Sequence, residues 1–169
     1  MSEYNPSLLA GLGEDFVCRF FSFTPLVKQG FGTGYDATDS NGRKIEIKCD
    51  LRSSETGNYY LEYKQVCLNN LVSESGISLA CQSADLIYLV SHKRVLVLQT
   101  VELREWLEKA KQSLRSRRTT IGKNGNSQGN YSVGLIVPEQ TIKDLAVEGY
   151  RCVDAFTETW NLQIVKGKR

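Results

Sequence analysis

The stretch Asp36-Ala37-Thr38-Asp39-Ser40-Asn41-Gly42-Arg43-Lys44-Ile45-Glu46-Ile47-Lys48 decides the fold and carries the chemistry. Ser40-Asn41-Gly42 is turn sequence between two strand-like runs. A three-residue hairpin loop there, with Gly42 in the left-handed conformation, makes residue 39 face 43 and residue 36 face 46. Side chains alternate along a strand, so Asp36, Glu46 and Lys48 then share one face while Ile45 and Ile47 point to the other. A two-residue loop would slip the register and send Asp36 to the opposite face from Glu46.

Two carboxylates beside an ammonium suit a hard divalent cation, which keeps most of its waters and takes one or two carboxylates plus phosphate oxygens. Asp36 and Glu46 are the expected ligands, with the backbone carbonyl at Ile47 as a third. The cofactor expected is Mg²⁺, with Mn²⁺ as its substitute, polarising a phosphoryl oxygen and acidifying a water. Lys48 would orient or deprotonate that water, or neutralise charge at phosphorus. Taken alone, Glu46-Ile47-Lys48 also reads as an ordinary same-face ion pair on a hairpin. A second copy, Glu62-Tyr63-Lys64, follows Asp50 by twelve residues. The first copy is preferred because glycines precede its aspartate and because Ile45, Ile47 and Cys49 mark a central strand.

Outward from this hairpin, Asn5-Pro6 starts a helix to about Phe21 with Leu8, Leu9, Leu12, Phe16 and Phe20 as its apolar stripe. Tyr59–Tyr63 is strand-like, residues 66–82 are helix or loop, and Leu86–Val90 and Arg94–Leu98 are strands around a turn at His92. Leu103, Trp106, Leu107 and Ala110 define a helix over Val101–Leu114. Ser116–Asn130 is loop, Tyr131–Val137 strand, and Pro138 opens a helix to about Val147. This order predicts a mixed α/β (α+β) domain around one sheet. The expected organisation is a domain over 1–150 and a C-terminal extension with a basic tail over 151–169.

At 169 residues and 41% hydrophobic content the chain can bury a core, which excludes wholesale disorder. No apolar run approaches the ~20 residues of a membrane span, and Met1–Pro6 lacks a signal peptide's basic start, so the expectation is an intracellular protein with no membrane partner, cytoplasmic or phage-encoded. Net charge is only +2, but Lys109, Lys111, Arg115, Arg117, Arg118 and Lys123 lie in a segment without acids. That asymmetry fits a polyanion such as DNA, and equally a solvated basic loop. Five scattered cysteines without a C-x-x-C pair and a single histidine leave zinc and imidazole catalysis unsupported.

Gly34-Tyr35-Asp36 and, ten positions after the aspartate, Glu46-Ile47-Lys48 resemble the PD-(D/E)XK nuclease superfamily, which includes restriction enzymes, Holliday-junction resolvases and phage nucleases. Gly13-Glu14-Asp15-Phe16-Val17 resembles the N-terminal helix whose glutamate borders the active site in many members. Lys48-Cys49-Asp50 leading to Asn58-Tyr59-Tyr60-Leu61-Glu62, and the Gly122–Asn130 loop before Gly134-Leu135-Ile136-Val137-Pro138, resemble phage-type members. The resemblance spans roughly residues 8–145; Tyr35 stands where the superfamily's name has proline. It implies a restriction-endonuclease-like core, a mixed central sheet flanked by helices. It implies catalysis by Asp36, Glu46 and Lys48 with Glu14 as accessory and Glu62 as a candidate second one; the charge asymmetry, separately, makes Arg115, Arg117, Arg118 and Lys123 the expected DNA contacts. The expected activity is a metal-dependent endonuclease, site- or structure-specific, working as a homodimer or higher homo-oligomer. The competing expectation is a non-catalytic DNA-binding or assembly module on the same fold. An enzyme of small phosphorylated metabolites lacks support, because there is no P-loop and no strand-linked G-x-G-x-x-G.

Overall fold

The computed structural model describes residues 6–26, 34–67, 71–114, 116–120, 130–152 and 162–167; for 6–10, 118–120, 152 and 162–167 it describes the backbone alone. The elements run α1 (Pro6–Phe21), β1 (Thr24–Pro25), β2 (Ala37–Thr38), β3 (Lys44–Cys49), α2 (Ser53–Thr56), β4 (Asn58–Val66), β5 (Val72–Glu74) and α3 (Gly76–Ser83). They continue as β6 (Leu86–Val90), β7 (Arg94–Gln99), α4 (Thr100–Ser113), β8 (Ser116–Thr120), β9 (Tyr131–Pro138), α5 (Glu139–Leu145), β10 (Glu148–Cys152) and β11 (Leu162–Gly167).

The chain is mixed α/β, with two sheets where the sequence predicts one. The first orders its strands β1-β2-β3-β6-β7-β10-β11 and the second β5-β4-β9-β8. Within the first, β3 and β6 are parallel and the other pairs antiparallel. The β6 ladder covers one edge of β3 from Ile45 to Cys49, while β2 pairs only with Lys44 and Ile45 on the other, and β4 adds to neither. The chain turns at Gly57, whose φ of +68° is left-handed, and β4 pairs with β5 and β9. Asp85 fastens the start of β6 to β3 from both sides: the Lys44 N–H donates to its carboxylate at 2.7 Å, and its own N–H donates to the Lys44 carbonyl at 2.8 Å.

Two apolar layers flank the large sheet. Ile45, Ile47, Tyr88, Val90, Val95 and Val97 face α1, where Val17 and Cys18 are buried. Ile87, Leu89, Leu96 and Leu98 face α3, α4 and the second sheet, meeting Leu103, Leu107, Leu61 and Leu135. The alternation along each strand is the period-2 pattern expected of a sheet covered on both faces.

Several predicted boundaries shift. Residues 66–82 are neither one helix nor one loop: β4 runs to Val66 and pairs with β5 before α3 begins. Ser116–Thr120, predicted as loop, is strand β8, because β9 offers it a complete antiparallel ladder. The predicted boundary at 150 falls inside β10, which pairs with β7, and β11 continues the same sheet. The buried side of α1 is rotated from the predicted stripe. Val17 is fully buried, whereas Leu12 and Phe20 are nearly half exposed; the side chains of Leu8 and Leu9 lie outside the described residues.

The rotation has a local cause in Gly13. A Cβ there would lie 2.2 Å from the Cys49 Sγ, so only glycine lets α1 approach the end of β3. Overpacking of this kind costs about 1–3 kcal/mol, and each kcal/mol corresponds to roughly 2–4 °C in a chain of this size. Alanine regains about 1 kcal/mol of helix propensity over glycine, so Gly13→Ala is expected to lower the melting temperature by a few degrees, and adding Cys49→Ala is expected to raise it again. Circular-dichroism melts of the two single variants and the double variant check this; an unchanged Gly13→Ala melt would refute close packing of α1 on Cys49.

Candidate active site

The hairpin has the register that its turn sequence predicts. The Asp39 N–H donates to the Arg43 carbonyl and the Gly42 N–H to the Asp39 carbonyl, each at 3.0 Å, and Gly42 has φ +77°. Ala37 faces Ile45 and Thr38 faces Lys44, which sets residue 36 opposite 46. Asp39 belongs to the turn: its carboxylate accepts the Asn41 and Arg43 N–H groups at 2.9 Å and the Arg43 side chain at 2.6 Å.

Asp36 is held twice by β3. Its N–H donates to the Ile45 carbonyl at 2.7 Å, and its Oδ2 accepts the Ile47 N–H at 2.8 Å. The N–H and C=O of one strand residue point toward the same neighbour. The Ile47 carbonyl therefore faces the edge where Asp36 sits, beyond the last β2–β3 pair. Asp36 and Glu46 abut closely enough to hydrogen-bond, and Lys48 forms an ion pair with Glu46. The Glu46 side chain is only 8% exposed and that of Lys48 40%, so the acid lies inside and the ammonium reaches the rim.

The electrostatics follow from this packing. Burial raises the Glu46 pKa; Lys48 opposes the shift and the adjacent Asp36 charge reinforces it, leaving a net rise. Burial would lower the Lys48 pKa, but Glu46, Asp36 and Glu14 together outweigh it and raise it. Glu14, half-buried on α1 next to Gly13, thus belongs to the same electrostatic cluster. Burial pushes the Cys49 thiol up to about 12, so it is no nucleophile at neutral pH.

The second E-x-K assembles no such group. A bulge between Glu62 and Lys64 breaks the alternation of β4. Glu62 accepts the Ser75 hydroxyl at 2.6 Å, and Asp50 is engaged by the Ser53 and Tyr60 N–H groups at 3.2 and 2.8 Å. The Lys64 ammonium lies 5.7 Å from the Tyr63 ring centre. Tyr59 is core, and the Tyr60 ring covers Gly134, where a Cβ would come within 2.6 Å of it.

Of the basic residues, Arg117 is exposed on edge strand β8; Arg118 is on the same strand with its side chain outside the described residues, as are Arg115 and Lys123 entirely. Strand pairing sets Glu62, Gly134 and Arg117 in one row across the second sheet. Adjacent strands lie about 4.8 Å apart, so Arg117 stands roughly 10 Å from Glu62 on the same face. Charge counting alone could not find that row, because it depends on two long-range pairings. His92 lies between β6 and β7, where the Ser91 N–H donates to the Arg94 carbonyl at 2.8 Å. No helix among the described residues is long and apolar enough to cross a membrane.

Among the described residues no set of three or more His, Cys, Asp or Glu side chains forms a metal-ligand group. Two carboxylates are nevertheless the number that Mg²⁺ takes when water and phosphate complete its shell. Burial is the main cause of the raised Glu46 pKa and the Asp36 charge adds to it; a cation between the two acids would relieve that repulsion, so the donor chemistry fits. No protein family, curated protein or solved structure matches this chain.

A carboxyl whose pKa is raised by folding stabilises the fold below its unfolded value and loses that contribution as pH rises through its folded value. Glu46→Gln removes this loss. The variant is expected to melt with the native chain near pH 4 and a few degrees above it at pH 8, in metal-free buffer. Parallel melts across that range check the sign; a gap that closes with rising pH would contradict the burial of a reluctant anion.

Proposed function

We propose that this chain is a Mg²⁺-dependent nuclease hydrolysing DNA phosphodiester bonds, acting as an endonuclease on a restriction-endonuclease-like core. One observation carries the reading: Asp36 is locked to the Ile47 N–H, directly against Glu46, with Lys48 paired to the same acid. Crowding two carboxylates in a part-buried place destabilises a fold unless a cation resides there. The PD-(D/E)XK spacing noted above supports the same assignment.

In this reading Asp36, Glu46 and the Ile47 carbonyl hold the metal. The bound ion supplies Lewis-acid polarisation of the phosphoryl oxygen and a more acidic water. Lys48 keeps its proton, since its pKa is raised, and so acts as a charged donor to a phosphate oxygen, stabilising the charge that grows at phosphorus. The charge of Glu14 on α1 adds to the field that keeps Lys48 protonated. Arg117, and Arg115, Arg118 and Lys123 with it, contact flanking phosphates, which position the substrate without reading its sequence. Cutting both strands calls for two copies of a domain this small, so the working form is a homodimer or higher homo-oligomer.

The test is incubation with supercoiled plasmid, linear duplex and a four-way junction, with Mg²⁺, with Mn²⁺ and with EDTA. Cleavage is expected with either metal and not with EDTA. Glu46→Ala and Lys48→Ala are expected to lower the rate at least about a hundredfold, the scale of losing one transition-state donor, while Lys64→Ala leaves it unchanged. Arg117→Ala is expected to weaken DNA binding and reduce the salt slope by about one. Binding without cleavage of any substrate would instead establish the non-catalytic module.

A further inference from the structure

A pocket of about 330 Å³ opens beyond Lys48, at the junction of the two sheets. Its walls include Lys48, Asp50, Leu61, Glu62, Ile77 and Leu89. That volume lies at the lower end of the roughly 300–1,000 Å³ typical of small-molecule sites. It is of the size of one nucleoside.

The lining specifies the ligand's chemistry. Lys48 places a cation at one end. Leu61, Ile77 and Leu89 make part of its lining apolar, which suits a flat ring. Of the two acids, Asp50 already uses both carboxylate oxygens, Oδ1 on the Ser53 N–H and Oδ2 on the Tyr60 N–H. Glu62 uses Oε1 for the Ser75 hydroxyl, and a carboxylate has two oxygens to offer. Glu62 is also well fixed. Gly76, with φ +53°, sits so close that a Cβ there would lie 2.6 Å from the Glu62 carbonyl and 2.8 Å from its Cβ. The start of α3 thus clamps Glu62 through Ser75 and Gly76. A ligand matching these walls carries an anion near Lys48, an apolar ring, and a hydrogen-bond donor for a carboxylate.

We infer that this pocket receives a single unstacked nucleobase joined to the phosphate held at Lys48, and that Glu62 accepts a hydrogen bond from the base's exocyclic amino group. The inference rests on the nuclease reading above and narrows its substrate. A base must leave the stack to reach the pocket, and unstacking is least costly at ends, mismatches, branches and single strands. The enzyme therefore acts where a nucleotide is already unpaired. Arg117, in the same sheet row as Glu62, is placed for a neighbouring phosphate.

The experiment uses the full chain with Mg²⁺ and the 5′-monophosphates of deoxyadenosine, deoxycytidine, deoxyguanosine and thymidine, with inorganic phosphate as reference, followed by calorimetric titration. None of these contains a phosphodiester, so binding is read apart from cleavage. The three amino-bearing nucleotides are expected to bind at least tenfold tighter than thymidine monophosphate or phosphate. Glu62→Ala is expected to abolish that preference, and Lys48→Met to weaken all four nucleotides alike while keeping their order. Equal binding of all five ligands, or a preference that survives Glu62→Ala in a variant with native melting, would overturn the pocket assignment. A chain that cuts DNA yet binds deoxyadenosine monophosphate no tighter than phosphate overturns the pocket and leaves the nuclease standing. A chain that shows the base preference but cuts nothing supports the pocket and refutes hydrolysis.

Discussion

The hydrogen bond from the Ile47 N–H to the Asp36 carboxylate fixes most of what matters in this molecule. It closes β2 onto β3 one residue beyond their last backbone pair and aims the Asp36 side chain along the face that Glu46 and Lys48 share. The bond exists because the Ser40–Gly42 turn has three residues. Removing one would put Asp36 among Ile45 and Ile47, where an aspartate has no partner and α1 could not pack. The left-handed Gly42 is therefore as much a determinant of the chemistry as the acids themselves.

The same cluster opposes the stability of the fold around it. Glu46 is buried although charged, and its neighbours include another carboxylate. Lys48 offsets part of this strain and, in doing so, has its own proton secured. An arrangement that burial alone disfavours, retained in a central strand, fits the cation site proposed above. A purely structural ion pair would need only one acid.

Legibility in the sequence followed the range of the interactions. The hairpin register, the β6–β7 pair around His92 and the face of α4 were readable, because each is set by turn chemistry or periodicity within about fifteen residues. Leu103, Leu107 and Ala110 are buried as their spacing predicts. What was not readable depends on partners far along the chain. Ser116–Thr120 has the polar, basic composition of a loop and becomes strand only because β9 presents an unpaired edge. The turn of α1 toward Val17 rather than Leu12 is dictated by the fit of Gly13 against Cys49, a contact across 36 positions. Residues 148–152 and 162–167 had no periodic signal, yet they extend the main sheet. The glycines before Asp36 and the apolar Ile45, Ile47 and Cys49 favoured the first E-x-K locally, but the bulge in β4 and the Ser75 hydroxyl that occupy the second are set by distant partners.

Asp50 explains why the candidate site and the second sheet form one unit. It stands where β3 ends, and its N–H donates to the Val90 carbonyl, keeping it tied to the first sheet. Its carboxylate meanwhile takes the Tyr60 N–H of β4 and the Ser53 N–H of α2. One residue thus fixes the angle at which β4 leaves the main sheet, and with it the separation between Lys48 and Glu62. A shift of β4 by one residue would exchange Tyr59 and Leu61 with Tyr60 and Glu62 between the core and the opposite face. The pocket's dimensions are accordingly set by backbone bonds to a side chain two positions beyond Lys48, so the spacing between Lys48 and Glu62 is built into the end of the strand that carries Glu46.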